Sequence, residues 1–107
     1  MRPTKPYRDD LIRDLKDPRT AASYLNAVLA GGDERAFLIA LKDVVDARGV
    51  SAVSRSTNIH RTHLYRMLSS GGNPTILRVS SLLKSLGLFL GVTSDQPKHR
   101  LKKILTM

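Results

Sequence analysis

Residues 51–68 read SAVSRSTNIHRTHLYRML, and their spacing describes two short helices joined by a tight turn. Ser51 is placed to cap the first helix, because its hydroxyl can accept a backbone N–H that the first turn leaves unpaired. Val53 and Thr57 stand one helical turn apart and can face a core together. Asn58 interrupts the pattern. It tolerates the left-handed backbone that a three- or four-residue turn needs. Ile59 follows as a buried turn residue, and a second helix starts near Arg61. Leu64 and Leu68 form its inner face, which leaves Arg61, Thr62, His63 and Arg66 to point elsewhere. Short helix, turn and polar second helix are the layout of a helix-turn-helix, whose second helix enters the DNA major groove N-terminus first.

Spacing alone describes any helical hairpin; charge discriminates. No Asp or Glu occurs between Asp46 and Asp95, whereas Arg48, Arg55, Arg61, Arg66, Arg78 and Lys84 all lie in that span. A solvated face usually mixes both signs, so a long acid-free stretch suggests a polyanionic partner. The whole chain agrees, with 18 Lys and Arg against 9 Asp and Glu, a net charge of +9. Such a charge favours nucleic acid or an anionic membrane surface.

The length of 107 residues suits one domain. Without Trp and with few aromatics, its core must be built from Leu, Ile, Val and Ala. A small aliphatic core is often marginal alone, so a homodimer is expected. No apolar run approaches the roughly 20 residues that span a bilayer. The basic N-terminus has no apolar segment after it and does not read as a secretory signal. The absence of cysteine removes any disulfide framework and fits a cytoplasmic protein.

Three segments are expected: residues 1–16 as an arm and short helix, 17–93 as the helical domain, and 94–107 as a basic tail. Residues 1–8 carry two prolines and read as an arm, not a helix. Asp9 to Lys16 can form a turn or two, whose face of Leu11, Ile12 and Leu15 either packs on the domain or meets a partner protein. Asp17-Pro18 is a strong helix start, with Asp as N-cap and Pro where its missing N–H costs nothing. That helix, with Ala21, Tyr24, Leu25, Val28 and Leu29 on its apolar stripe, stops at Gly31-Gly32. Asp33 caps a second helix, which ends at Gly49 and turns Phe37, Leu38, Leu41, Val44 and Val45 inward. Asp43 and Asp46 make it acidic, either as an ordinary exposed face or as a docking surface for a basic protein.

Ser69-Ser70-Gly71-Gly72-Asn73-Pro74 is a loop that permits close backbone approach to phosphates. It lacks the lysine of a nucleotide-binding P-loop. Thr75 caps a last helix from Ile76 to Leu86, and its N-terminal turn holds Arg78, near unpaired N–H groups that attract phosphate. Leu88 to Val92 can form a single short strand, which would pair with its copy or with a partner's sheet edge. The tail carries Lys98, Arg100, Lys102 and Lys103 as phosphate contacts, or Leu101, Ile104 and Leu105 as a docked or membrane-surface helix, or it frays as a solvated terminus, the preferred reading.

No catalytic set stands out. His60 and His63 are three apart, yet there is no cysteine and no nearby carboxylate in sequence to complete a metal site. His60 reads as the start of the second helix and His63 as facing DNA. The expected DNA contacts are therefore Arg61, Thr62, His63 and Arg66 toward base edges. Ser51, Arg55, Asn73 and Thr75 are expected to position the domain on phosphates, and His60 and Arg78 are further expected DNA contacts. No cofactor or metal is implied.

Six pieces, taken in order, resemble the addiction-module antidote proteins, HigA-like antitoxins with an Xre-type helix-turn-helix. They are Tyr24-Leu25-Asn26-Ala27, Phe37 through Val44, Ala47-Arg48-Gly49, Leu64-Tyr65-Arg66, Gly72-Asn73-Pro74 and Leu86-Gly87-Leu88. The resemblance covers roughly residues 7 to 92. It implies an all-α fold, an Xre/lambda-repressor-like domain of about five helices with an N-terminal helical extension. It further implies an operator in double-stranded DNA and a HigB/RelE-type toxin, an mRNA-cleaving ribonuclease neutralised by direct contact. Leu11, Ile12, Leu15, Tyr24, Asp43 and Asp46 are the expected toxin-facing residues. Three positions depart from the family pattern: Ser54 stands where Ala is usual, Asn58 where Gly is usual and Thr62 where Glu is usual. The last alters the recognition helix, so no operator sequence carries over. The rival readings are a phage- or plasmid-like regulator without a toxin and a structural DNA-binding protein without sequence preference. An enzyme ranks last.

Overall fold

The computed structural model describes residues 4–95. Among them the chain forms six helices and no strand. The helices are α1 (Thr4–Asp14), α2 (Pro18–Ala30), α3 (Glu34–Arg48), α4 (Val50–Thr57), α5 (Arg61–Met67) and α6 (Ile76–Ser85). Five helices plus an N-terminal helical extension thus match the expected all-α class. The basic tail beyond residue 95 lies outside the described residues, as do the first three residues of the expected arm.

Side-chain caps start several of these helices. The Asp17 carboxylate accepts from the Arg19 N–H at 3.0 Å, ahead of Pro18. Asp33 accepts from the N–H groups of Arg35 and Ala36. Thr75 accepts from Arg78 at 3.1 Å. Each satisfies donors that a first turn leaves orphaned, worth about 1 kcal/mol apiece.

The core lies along α3, whose Leu41 and Val45 are fully buried. α1 and α2 each pack against it and α4 follows at its end, with α4 also packed on α5 and α6. Val53, Leu64, Leu68, Leu82 and Leu86 complete the deepest layer, all at most 1% exposed. Arg48 at the end of α3 donates to the Leu86 carbonyl at 3.2 Å and ties α3 to the end of α6.

Four expectations change. The segment read as an arm is helical from Thr4; Pro6 falls in the first turn, where a missing N–H breaks no helical bond. Ser51 is not a cap. α3 and α4 are joined by the single residue Gly49, at φ 102 and ψ 117, so α4 begins at Val50 and Ser51 lies exposed in its first turn. Ile59 is half-buried, not buried, and packs at the margin of the core. Residues 88–92 form no strand: Leu88 is held by a bond from its N–H to the Leu83 carbonyl and is buried, and beyond it the backbone finds no second strand to pair with.

The turn at residue 58 matches its reading. Asn58 sits at φ 59 and ψ 32, the left-handed well. The Ser54 hydroxyl donates to the Ile59 carbonyl at 2.6 Å and Thr57 to the Val53 carbonyl at 2.8 Å. The serine at a position where alanine is usual therefore has a local purpose: it ties α4 to the turn.

Candidate nucleic-acid interface

α5 is anchored from below. Leu64, Met67 and Leu68 are buried, so the helix is fixed with Arg61, Thr62 and Arg66 exposed on its outer side. His60 precedes it with extended backbone, and its Nδ1 accepts from the Thr62 N–H at 3.2 Å. This histidine caps the helix, a role the sequence reading did not give it. His63 is half-buried and faces α6, where the Arg78 guanidinium donates to its Nε2 at 2.8 Å. Because an arginine only donates, that nitrogen is the acceptor and the ring proton is on Nδ1. The same Arg78 nitrogen lies 3.9 Å from the Met67 sulfur.

The His63–Arg78 pair separates two concavities. One, of about 330 Å³, is lined by His63, Arg66, Asn73, Thr75 and Arg78 together with Gly71, Gly72 and Pro74. The other, of about 470 Å³, is bordered by His60, His63, Asn58, Leu77, Arg78 and Ser81. The fold therefore gathers His60, His63, Arg66, Asn73, Thr75 and Arg78 around one ridge. Ser51, Arg55, Arg61 and Thr62 are exposed on α4 and α5 but line neither concavity. Leu77, 78% exposed beside the ridge, escaped the sequence reading. Its one signal is an apolar residue off the inward stripe of α6. Among the described residues no acidic side chain lies on α4, α5 or α6. No group of three or more potential metal ligands forms either, and no helix is long and apolar enough to cross a membrane.

The residues expected to meet a toxin have a different setting. Leu15 is buried in the core, and Leu11 and Ile12 are half-buried against it, so the apolar face of α1 packs on the domain. Asp43 is 8% exposed, which excludes an ordinary solvated face at this position. Its carboxylate accepts from Arg8 at 2.8 Å and from the Tyr24 hydroxyl at 2.9 Å. One turn on, Asp46 accepts from Arg8 at 3.0 Å, Lys42 at 3.1 Å and the Tyr65 hydroxyl at 2.9 Å. Lys42 also lies 5.1 Å from the Tyr65 ring centre. Two carboxylates of α3 thus hold α1, α2 and α5 at once.

Burial, with the Asp43 bond second, pushes the Tyr24 hydroxyl up to about 12. Tyr65 is raised by the same causes, burial first and then its bond to Asp46. The bond to Asp43 is the main cause that raises Arg8. Arg8, half-exposed, falls in the segment read as an arm, and nothing in the two prolines that precede it signals a bridge to residues 35 and 38 positions away.

Among the described residues the chain is an all-α assembly of six helices, three of which, α4, α5 and α6, carry no acidic side chain. Comparison with known proteins makes this specific. A family model described as "Probable addiction module antidote protein" matches residues 7–94, and the chain belongs to that family. An uncharacterized protein of Haemophilus influenzae (strain Rd KW20) is 35% identical over 79 residues, covering 74% of this chain and 81% of that relative. No solved structure matches the chain. Membership points to an antitoxin role and to a toxin as partner.

Proposed function

We propose that this protein is the cytoplasmic antitoxin of a type II toxin–antitoxin module. As a homodimer it represses its own promoter through an Xre-type helix-turn-helix formed by α4 and α5, and it neutralises a HigB/RelE-type toxin by direct binding. The observation that carries the DNA half is the exposed cationic face of α5 within a span free of acid. Arg61, Thr62 and Arg66 are offered to base edges. His63 and Arg78, with Asn73 and Thr75, line the cleft beside them, where a phosphate backbone would run. Ser51, Arg55 and His60 are assigned to backbone contacts.

The test is a gel-shift titration on promoter DNA against scrambled DNA at physiological salt. A specific repressor prefers its operator by about a thousandfold or more. Arg61→Ala and Arg66→Ala should each weaken operator binding about tenfold or more, the equivalent of roughly 1–3 kcal/mol per bidentate contact to guanine. Both variants should keep wild-type helicity, because neither side chain is part of the core. Unchanged operator affinity in both would remove α5 from the groove.

For the toxin, internal pairing of Asp43 and Asp46 moves the accessible acid to the outer side of α1, where Asp9, Asp10 and Asp14 are exposed. Asp10 shares its carboxylate with Arg13 at 2.6 Å. Asp9→Lys combined with Asp14→Lys should reduce co-purification of the protein encoded next to this gene, with DNA binding retained. Full co-purification would place the toxin elsewhere on the chain.

A further inference from the structure

On the other side of the 71–74 loop from the cleft at Arg66, an open groove of about 580 Å³ runs between α2, α3, that loop and α6. Leu29, Phe37, Leu38, Ile76 and Leu90 line it. The extended chain after α6 borders it, and that chain presents Phe89 at 85% exposure and Val92 at 97%. A large aromatic ring left in water next to an unfilled apolar groove is an uncompensated arrangement for one chain. Among the described residues no hydrogen bond engages the backbone of residues 89–92. Knob, groove and free backbone thus share one face.

We infer that this groove is where a second copy of the chain docks, the Phe89 ring of each protomer entering the groove of its partner. The inference deepens the homodimer reading above and rests on it. A two-fold interface requires a self-complementary surface, with knob and hole side by side. Charge gives the second reason. Two copies at +9 repel, so they can approach only where local charge cancels. The groove lining carries two charged residues, Glu34 and Arg35, which sum to zero. Among the described residues neither has an ion-pair partner. Across a two-fold axis, Glu34 of one protomer can meet Arg35 of the other. The two concavities beside the ridge are lined by Arg66 and Arg78 without a balancing acid. Seating two rings in two grooves removes roughly several hundred Å² of apolar surface, a useful part of the 1,200–2,000 Å² that a stable interface buries.

Sedimentation equilibrium on the full chain tests this. The wild type should be a dimer at micromolar concentration, and Phe89→Asp should be monomeric with an unchanged circular dichroism spectrum. Ile39→Asp, a control on α3 outside the groove lining, should remain dimeric. A dimer that survives Phe89→Asp overturns the groove assignment and leaves the homodimer itself standing. A monomeric wild type overturns both. If Phe89→Asp then abolishes co-purification with the neighbour-encoded protein, the groove belongs to the toxin.

Discussion

Asp43→Ala is expected to cost about 2–3 kcal/mol of folding stability. Removing one member of a buried charged pair typically costs about 3–5 kcal/mol, because the other charge stays desolvated. Here the partner is only partly sequestered: the Arg8 side chain is 47% exposed and regains water when released. The Tyr24 hydroxyl loses its acceptor in a half-buried site, which adds a further penalty. With a urea m-value of about 1.5 kcal/mol/M, the midpoint should fall by between about 1 and 2 M. Asp46→Ala, at a more exposed carboxylate, should cost less. An Asp43→Ala midpoint within 0.3 M of wild type, on roughly that scale, would show that the cluster contributes little.

The same site sets a dependence on alkaline pH. In the unfolded chain a tyrosine ionises near pH 10, roughly the model-peptide value. In the fold, Tyr24 holds its proton to about 12. Stability from this group is therefore fully present below about pH 10 and is lost as pH rises toward 12. Asp43→Ala removes the acceptor of the Tyr24 bond, so the variant should lose less over that interval than the wild type.

Gly72→Ala is expected to be as damaging by a different route. A Cβ at this position would overlap the Met67 carbonyl and crowd the Arg66 carbonyl oxygen. Those are backbone atoms at the end of α5 and cannot swing aside as a side-chain tip would. The loop is closed at this point by a bond from the Gly72 N–H to the Ser69 carbonyl at 2.9 Å. Forcing it outward shifts Met67, which is buried, and opens the cleft beside Arg66. Overpacking of this kind costs typically about 1–3 kcal/mol, and the upper end applies where backbone must move. For a domain of this size the melting temperature should fall by about 10 °C or more. Gly71→Ala is the control, since a Cβ there meets nothing within 4 Å. Similar melting temperatures for the two variants would mean that the loop yields without strain.

Local chemistry was legible in the sequence and long-range pairing was not. The Asp17-Pro18 and Asp33 starts, the Thr75 cap and the left-handed Asn58 each follow from one or two adjacent residues. Ser51 misled because a serine before a helical pattern looks like a cap. The actual start was set by Gly49, whose backbone an L side chain rarely adopts. Leu88 to Val92 misled because a short apolar run after a helix stop suits a strand, but a strand also needs a partner that one chain does not supply. The carboxylates of Asp43 and Asp46 were visible as charges; their partners on α1, α2 and α5 are set by tertiary packing alone. On the candidate DNA face, the outward residues of α5 could be read from helical spacing, whereas the His63–Arg78 bond across 15 positions could not.

The one-residue joint at Gly49 sets how motion can travel through this molecule. Gly49 closes α3 by donating to Val45 at 2.8 Å and opens α4 by accepting from Val53 at 3.1 Å. A single residue advances the chain about 3.8 Å and leaves two soft dihedrals, both committed here. The joint has no contour length beyond that one residue. A tilt imposed on α3, through α1 and α2 packed on it, is therefore expected to carry α4 with it. A partner bound on α3 is thus expected to reach the cationic helix by displacing α4, which packs on α5.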